Sequence, residues 1–254
     1  MKKLIAANWK MNMTMAKAKD FVSQLEADIA KDSSLLERCE ILICASYVYI
    51  SALSTQFDKN IVMFGAQDCS AHEQGTYTGE VSAGMLKDVG CSHVIVGHSD
   101  RRKNHGEDDA LVQEKARAAH RHNLTAIICV GESREERDAG LQDAVIKRQV
   151  LDSVPEDARA DNTVIAYEPI WAISSGKAPS TEILTPAGAE KIHGFIRSLL
   201  VEHFKGGDKI RILYGGSMNP DNARDLLCAR HVDGGLIGGA GLKADSFFAI
   251  AQSS

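Results

Sequence analysis

Several apolar, strand-like runs in this chain end on groups that can handle a proton or an anion. Val164–Tyr167 ends on Glu168 and is cut off at once by Pro169. Ser92–Gly97 ends on His98, and Lys3–Trp9 carries Asn8 and runs into Lys10. Other runs end in Gln67, in Glu132, in Gly215-Gly216-Ser217 and in Gly238-Gly239. A carboxylate can serve as a general base, an imidazole can donate or accept a proton, and an ammonium or amide can stabilise a developing oxyanion. Glycine pairs leave backbone N–H groups open to the oxygens of a phosphate. Singly, each has an ordinary role. Lys10 reads as a solvated loop lysine, His98 as a satisfied core histidine, Glu168 as a hydrogen-bond acceptor at a loop start, and the glycines as turns. Only their convergence on one pocket carries weight, and that requires a fold that gathers strand ends.

The order of elements supplies one. Eight short apolar segments recur: Lys3–Trp9, Glu40–Ala45, Ile61–Ala66, Ser92–Gly97, Thr125–Val130, Thr163–Tyr167, Ile210–Tyr214 and Val232–Ile237. Most are continuously apolar, which suits parallel strands covered on both faces. Helical patterns lie between them, as in Ala16–Ala30 and Ala187–Phe204. Thr185-Pro186 and Asn219-Pro220 each read as an N-cap followed by proline at the first helical position, and Ser133 with Glu136 has capping-box spacing. Strand then helix, eight times, is the pattern of an α/β (β/α)8 TIM barrel over one domain, residues 1–254. A doubly wound open sheet is the alternative; the strand count and the lack of G-x-G-x-x-G after the first strand lower it. In a barrel the active site lies at the C-terminal ends of the strands, where the residues above fall.

Composition narrows the classes. A formal net charge of -5 argues against a nucleic-acid binder, although a local positive site can still attract an anion. The six cysteines are scattered without C-x-x-C spacing, which fits reduced thiols in a cytoplasmic protein better than disulfides or zinc. No apolar run reaches membrane-spanning length. His120 and His122 do not share a helix face, His193 and His203 stand on the helix before strand seven, and no H-E-x-x-H occurs. The reading therefore includes no metal and no cofactor.

The motifs, taken in order, resemble those of the triosephosphate isomerases over essentially the whole chain. They are "AANWKMN" at 6–12, "GAQD" at 65–68, "TYTGEVS" at 76–82, "VGHSDRR" at 96–102, "CVGE" at 129–132, "AYEPIWAISSGK" at 166–177, "YGGS" at 214–217 and "LIGGA" at 236–240. The resemblance implies a TIM barrel that interconverts dihydroxyacetone phosphate and D-glyceraldehyde 3-phosphate through an enediolate. It implies a place in glycolysis and gluconeogenesis, a cytoplasmic location and a homodimer whose segment 70–80 carries Thr78 to the neighbouring site. Glu168 would be the base, made more basic by desolvation under an apolar lid. His98 would be a neutral electrophile at the start of a helix whose positive end disfavours imidazolium, an arrangement this enzyme family itself standardly illustrates. Lys10 and Asn8 would stabilise substrate oxygen. Ser217, Gly238, Gly239 and an amide near Ser174 would bind phosphate. Pro169, Ile170 and Trp171 would hinge a lid running through Ala172, Ile173, Ser174, Ser175 and Gly176 to Lys177.

Three departures from that pattern stand out. Asp100 takes the place of a glutamate, Ser174-Ser175-Gly176 replaces Gly-Thr-Gly at the lid, and Ala178–Leu184 is about five residues longer than the family pattern, with Asp68 and Gly241 milder variants. They leave two other readings open: an isomerase of a four-carbon ketose or aldose phosphate, and an inactive sugar-phosphate binder.

Overall fold

The computed structural model describes residues 1–32, 34–173 and 184–254. The expectations for Ser174, Ser175, Gly176 and Lys177, and for the longer stretch from 178 to 183, lie outside the described residues. Eight parallel strands close into a barrel in sequence order. They are β1 (Lys3–Asn8), β2 (Cys39–Ala45), β3 (Met63–Ala66), β4 (His93–Val96), β5 (Thr125–Val130), β6 (Thr163–Tyr167), β7 (Arg211–Tyr214) and β8 (Gly234–Ile237). Because β1 pairs with both β2 and β8, the ring has no open edge, and the doubly wound alternative falls.

Alternation along each strand explains the unbroken apolar runs. Leu4, Ala6, Ile95, Val164, Ala166 and Leu213 pack together as one buried cluster inside the barrel. Their neighbours Ile5, Ala7, Val94, Val96, Ile165 and Ile212 join the apolar faces of the surrounding helices in a second cluster. Both faces of every strand are thereby removed from water. Five cysteines are buried and Cys228 is exposed, all as free thiols.

Strand ends agree with the sequence to within two residues, and β5 and β6 coincide with their predicted spans. The helix predicted over Ala16–Ala30 runs Met15–Ile29, with the Thr14 side chain accepting from the N–H of Lys17. The helix predicted over Ala187–Phe204 runs Pro186–His203; Thr185 accepts from the N–H of Gly188, and proline stands in the first turn. The Ser133–Glu136 capping box is complete. Asn219-Pro220 is a correction. That helix is Ala223–Cys228, and Asn219 Oδ1 instead accepts from the N–H groups of Asp221 and Asn222, at 2.9 and 3.2 Å. The short amide side chain satisfies local backbone donors in a turn and delays the helix.

Candidate active site

Parallel closure puts all eight C-terminal strand ends at one rim. Glu168 follows β6, 3% exposed, with its N–H donated to Val130 O on the neighbouring strand at 2.8 Å. It fits there because glycine follows each of the adjoining strands. A Cβ at Gly131 would lie 1.8 Å from Glu168 O, and one at Gly215 would lie 2.9 Å from Glu168 Cγ.

His98 follows β4 and caps the helix Ser99–His105. Its Nδ1 accepts from the N–H of Asp100 at 3.0 Å, so Nδ1 carries no proton. The ring proton sits on Nε2 and is donated to Glu168 Oε1 at 2.8 Å. The 3.5 Å approach of Asp100 Oδ2 to Nδ1 is accordingly a close contact to a neutral ring rather than an ion pair. Ser99 N–H donates to the other Glu168 oxygen at 2.9 Å.

These partners overturn one expectation in this conformation. Burial does push the Glu168 carboxyl up, but His98, the Ser99 N–H and the charge of Lys10 outweigh it and hold Glu168 below its ordinary value. A carboxylate held so is a good acceptor and a weak base.

Lys10 lies just past β1 with φ 50, in the left-handed region that non-glycine residues avoid. Its neighbours keep it there. Asn8 Oδ1 accepts from Lys10 N–H at 3.1 Å, and Gln67 Nε2 donates to Lys10 O and to Cys44 O, both at 3.0 Å. Ser46 Oγ donates to the same Lys10 carbonyl at 3.3 Å. The bent backbone sends the ammonium to Asp100 Oδ2 at 3.0 Å. Partial burial pushes Asp100 up, and the adjoining Lys10 ammonium, hydrogen-bonded to it, draws it down. Asp100 therefore reaches Lys10 despite being one methylene shorter than the glutamate of the family pattern.

Ser217 stands half-buried after β7, with its carbonyl accepting from Asn222 Nδ2 at 3.1 Å. Gly238 follows β8, and Gly239 opens the short 3-10 turn Gly239–Leu242. A Cβ at Gly238 would meet only Lys10 Cε, at 4.0 Å, and one at Gly239 would meet nothing within 4 Å. The glycine pair thus lies open beside the Lys10 side chain.

The segment after Glu168 is anchored through Glu132. This fully buried carboxylate accepts from Tyr167 Oη at 3.1 Å on each oxygen and from Trp171 Nε1 at 2.7 Å, and its carbonyl accepts from Ile170 N–H at 3.2 Å. Burial pushes its carboxyl up, and these donors only partly counter it. Arg137 lies 3.9 Å over the Trp171 ring. Ile170–Ala172 forms a single 3-10 turn with Ala172 buried. Among the described residues, no group of three or more His, Cys, Asp or Glu could hold a metal ion.

The family model for triosephosphate isomerase matches residues 3–254. The chain belongs to the triosephosphate isomerase family. Among curated relatives, the triosephosphate isomerase of Bradyrhizobium sp. (strain ORS 278) is 47% identical, covering 98% of this chain and 96% of its own length. That of Rhizobium meliloti (strain 1021) is 48% identical, covering 98% and 95%. The solved triosephosphate isomerase of Bartonella henselae superposes with a TM-score of 0.88 at 40% identity, covering 100% of this chain and 99% of that one.

Within this triosephosphate isomerase rim, Glu168, His98, Lys10 and Asp100 are brought into direct contact, Asn8 supports them, and Gly238 adjoins Lys10. The strand-end rule singled out Gln67 and Glu132 without giving them work. One holds the Lys10 backbone, the other the turn at Ile170 and Trp171. Tyr167 and Arg137 were missed altogether, since an aromatic in an apolar run and an arginine on a helix carry no signal of a shared partner.

Proposed function

We propose that Glu168 is the base that carries a proton between adjacent carbons, with His98, Lys10 and Asn8 holding the oxygens. The reaction is the family's interconversion of dihydroxyacetone phosphate and D-glyceraldehyde 3-phosphate through an enediolate, an aldose–ketose isomerisation belonging to glycolysis and gluconeogenesis. The full-length match to triosephosphate isomerases favours this over a four-carbon substrate or an inactive binder. One observation carries the site assignment: Glu168 and the neutral His98 meet at 2.8 Å inside a water-poor rim, beside an ammonium.

The geometry implies the order of events. Glu168 leaves the Ser99 N–H and His98 Nε2–H for the substrate carbon. Once those donors are gone, burial is opposed by fewer groups, and the carboxylate becomes more basic. The freed Nε2–H turns to substrate oxygen, where the charge of the enediolate develops. Asn8 has its oxygen end occupied by Lys10 N–H, which leaves the Nδ2 end to donate. Ser217, Gly238 and Gly239 bind the phosphate beside Lys10, with Ser174 completing that set. Pro169, Ile170, Trp171, Ala172 and Ile173 form the first half of a lid that excludes water. No cofactor is required by this chemistry.

The chain acts as one domain, 1–254, in a cytoplasmic homodimer on this reading. Residues 72–80 are exposed, and the loop is preformed: His72 stacks on Tyr77 at 3.9 Å, and Arg121 Nε pairs with Glu73 at 2.5 Å. Met11, Val48, Tyr77 and Met85 are exposed on the segments after β1, β2 and β3, an apolar surface suited to a second copy that receives Thr78. No helix among the described residues is long and apolar enough to cross a membrane.

Glu168→Gln tests the base. It is expected to lower kcat by about 10² to 10⁴-fold, the usual share of general-base catalysis, with little change in affinity for a phosphate analogue. Near-normal turnover would remove Glu168 from the role.

A further inference from the structure

His193 is fully buried, and nothing above uses it. It stands on the helix Pro186–His203, behind two tyrosines that are register partners on β6 and β7, Tyr167 and Tyr214. Its ring meets Tyr167 edge-on, 5.9 Å away at 89°, and Tyr214 at 6.4 Å and 37°. Its Nδ1–H donates to His231 O at 3.1 Å, in a turn where His231 has φ 67. Its Nε2 is buried with no hydrogen-bond partner. An unpaired polar atom at that depth costs stability that an apolar side chain would not.

Each tyrosine leads into the site. Tyr167 immediately precedes Glu168, and its hydroxyl binds Glu132, which in turn holds Trp171. Tyr214 immediately precedes Gly215-Gly216-Ser217. Its hydroxyl lies against Gly216, where a Cβ would be 2.3 Å from it and 3.0 Å from Pro169 Cγ. One imidazole thus backs both the base-bearing strand end and the phosphate-side strand end.

We propose that His193 is a positioning residue for the isomerisation, its neutral ring wedging Tyr167 and Tyr214 so that Glu168, Trp171 and the Gly215–Ser217 turn hold their places. The proposal rests on Glu168 being the base. The Nδ1–H bond to His231 anchors the wedge, and the ring itself does the positioning. A displacement of about 1 Å at Tyr167 passes directly to Glu168, and misplacement on that scale costs up to about 10²-fold in rate.

Two substitutions separate wedge from anchor. His193→Asn keeps an N–H for His231 O and vacates the ring's space. It should lower kcat about tenfold or more with KM little changed. In a Trp9→Phe background, which leaves Trp171 as the fluorophore, it should also move emission to longer wavelength as the Glu132 contact loosens. His193→Phe keeps a ring and loses the anchor; it should lower Tm, hold the emission of Trp171 and retain most of kcat. If His193→Asn is too unstable to assay, Tyr167→Phe, which cuts the link to Glu132, must reproduce the kcat loss and the emission shift. Wild-type kcat and emission in His193→Asn, or equal kcat losses in the Asn and Phe variants, would overturn the proposal, as would wild-type behaviour of Tyr167→Phe. Glu168→Gln should remove turnover without moving Trp171 emission. Retained turnover there would refute the base assignment and leave the Trp171 result to judge His193.

Discussion

Acid should unfold this barrel by way of two histidines that cannot charge where they lie. His93 and His193 are fully desolvated, and burial pushes them from 6.5 down to about 3 and about 4. His93 Nδ1 lies 2.8 Å from Ser92 Oγ, and its Nε2 has no hydrogen-bond partner. Both folded-state values are below the unfolded one. As pH falls through 6.5 the unfolded chain takes up two protons that the folded chain refuses, so stability is full above 6.5 and falls between there and about 4. Each refused proton is worth about 1.4 kcal/mol per pH unit, so the pair removes about 3 kcal/mol per unit. Going from about pH 6.5, where the unfolded histidines are half protonated, to pH 5 then removes roughly 3 kcal/mol, a large share of a typical 5–15 kcal/mol. Asp68 and Glu132, both pushed up by burial, work the other way, from their raised folded-state values down to the ordinary carboxylate range. The assay is the urea midpoint at fixed protein concentration from about pH 7 to about pH 5, for the native chain and for His93→Phe. The variant should lose about half of the pH slope. A flat midpoint over that range, or an unchanged slope in the variant, would refute the reasoning.

Two predictions concern the rim. Asp100 already pairs with Lys10 at 3.0 Å, so the longer arm of Asp100→Glu should crowd the ammonium and lower kcat about tenfold, read by steady-state kinetics; a clear gain would show that aspartate is a handicap there. Gly215→Ala places a methyl 2.9 Å from Glu168 Cγ and 3.0 Å from Tyr167 O, and should cut kcat on the order of 10²-fold while the far-UV circular dichroism stays unchanged.

The barrel was legible because buried parallel strands leave a signal that depends on no partner: unbroken apolar runs, evenly separated by amphipathic helices. The rim was legible for the same reason, since the fold fixes where strand ends go and the sequence says which residues stand there. What stayed hidden depended on pairing across the ring. Nothing in the sequence says that Gln67 reaches the Lys10 carbonyl, or that Tyr167 and Trp171 share Glu132. The direction in which Glu168 is shifted was misread because desolvation can be inferred from an apolar loop, whereas the opposing N–H of Ser99 and Nε2–H of His98 follow only from geometry. The helix after Asn219 was placed early because an asparagine that caps a helix and one that closes a turn look alike in sequence.

The most direct measurement is solvent hydrogen exchange during turnover of dihydroxyacetone phosphate in deuterated water. With the native chain, deuterium should appear on the carbon next to the carbonyl as aldose forms. With Glu168→Gln, both the isotope and the aldose should fall together by at least about 10²-fold, while binding of a phosphate analogue persists. Deuterium incorporation at the native rate in the variant would contradict the account.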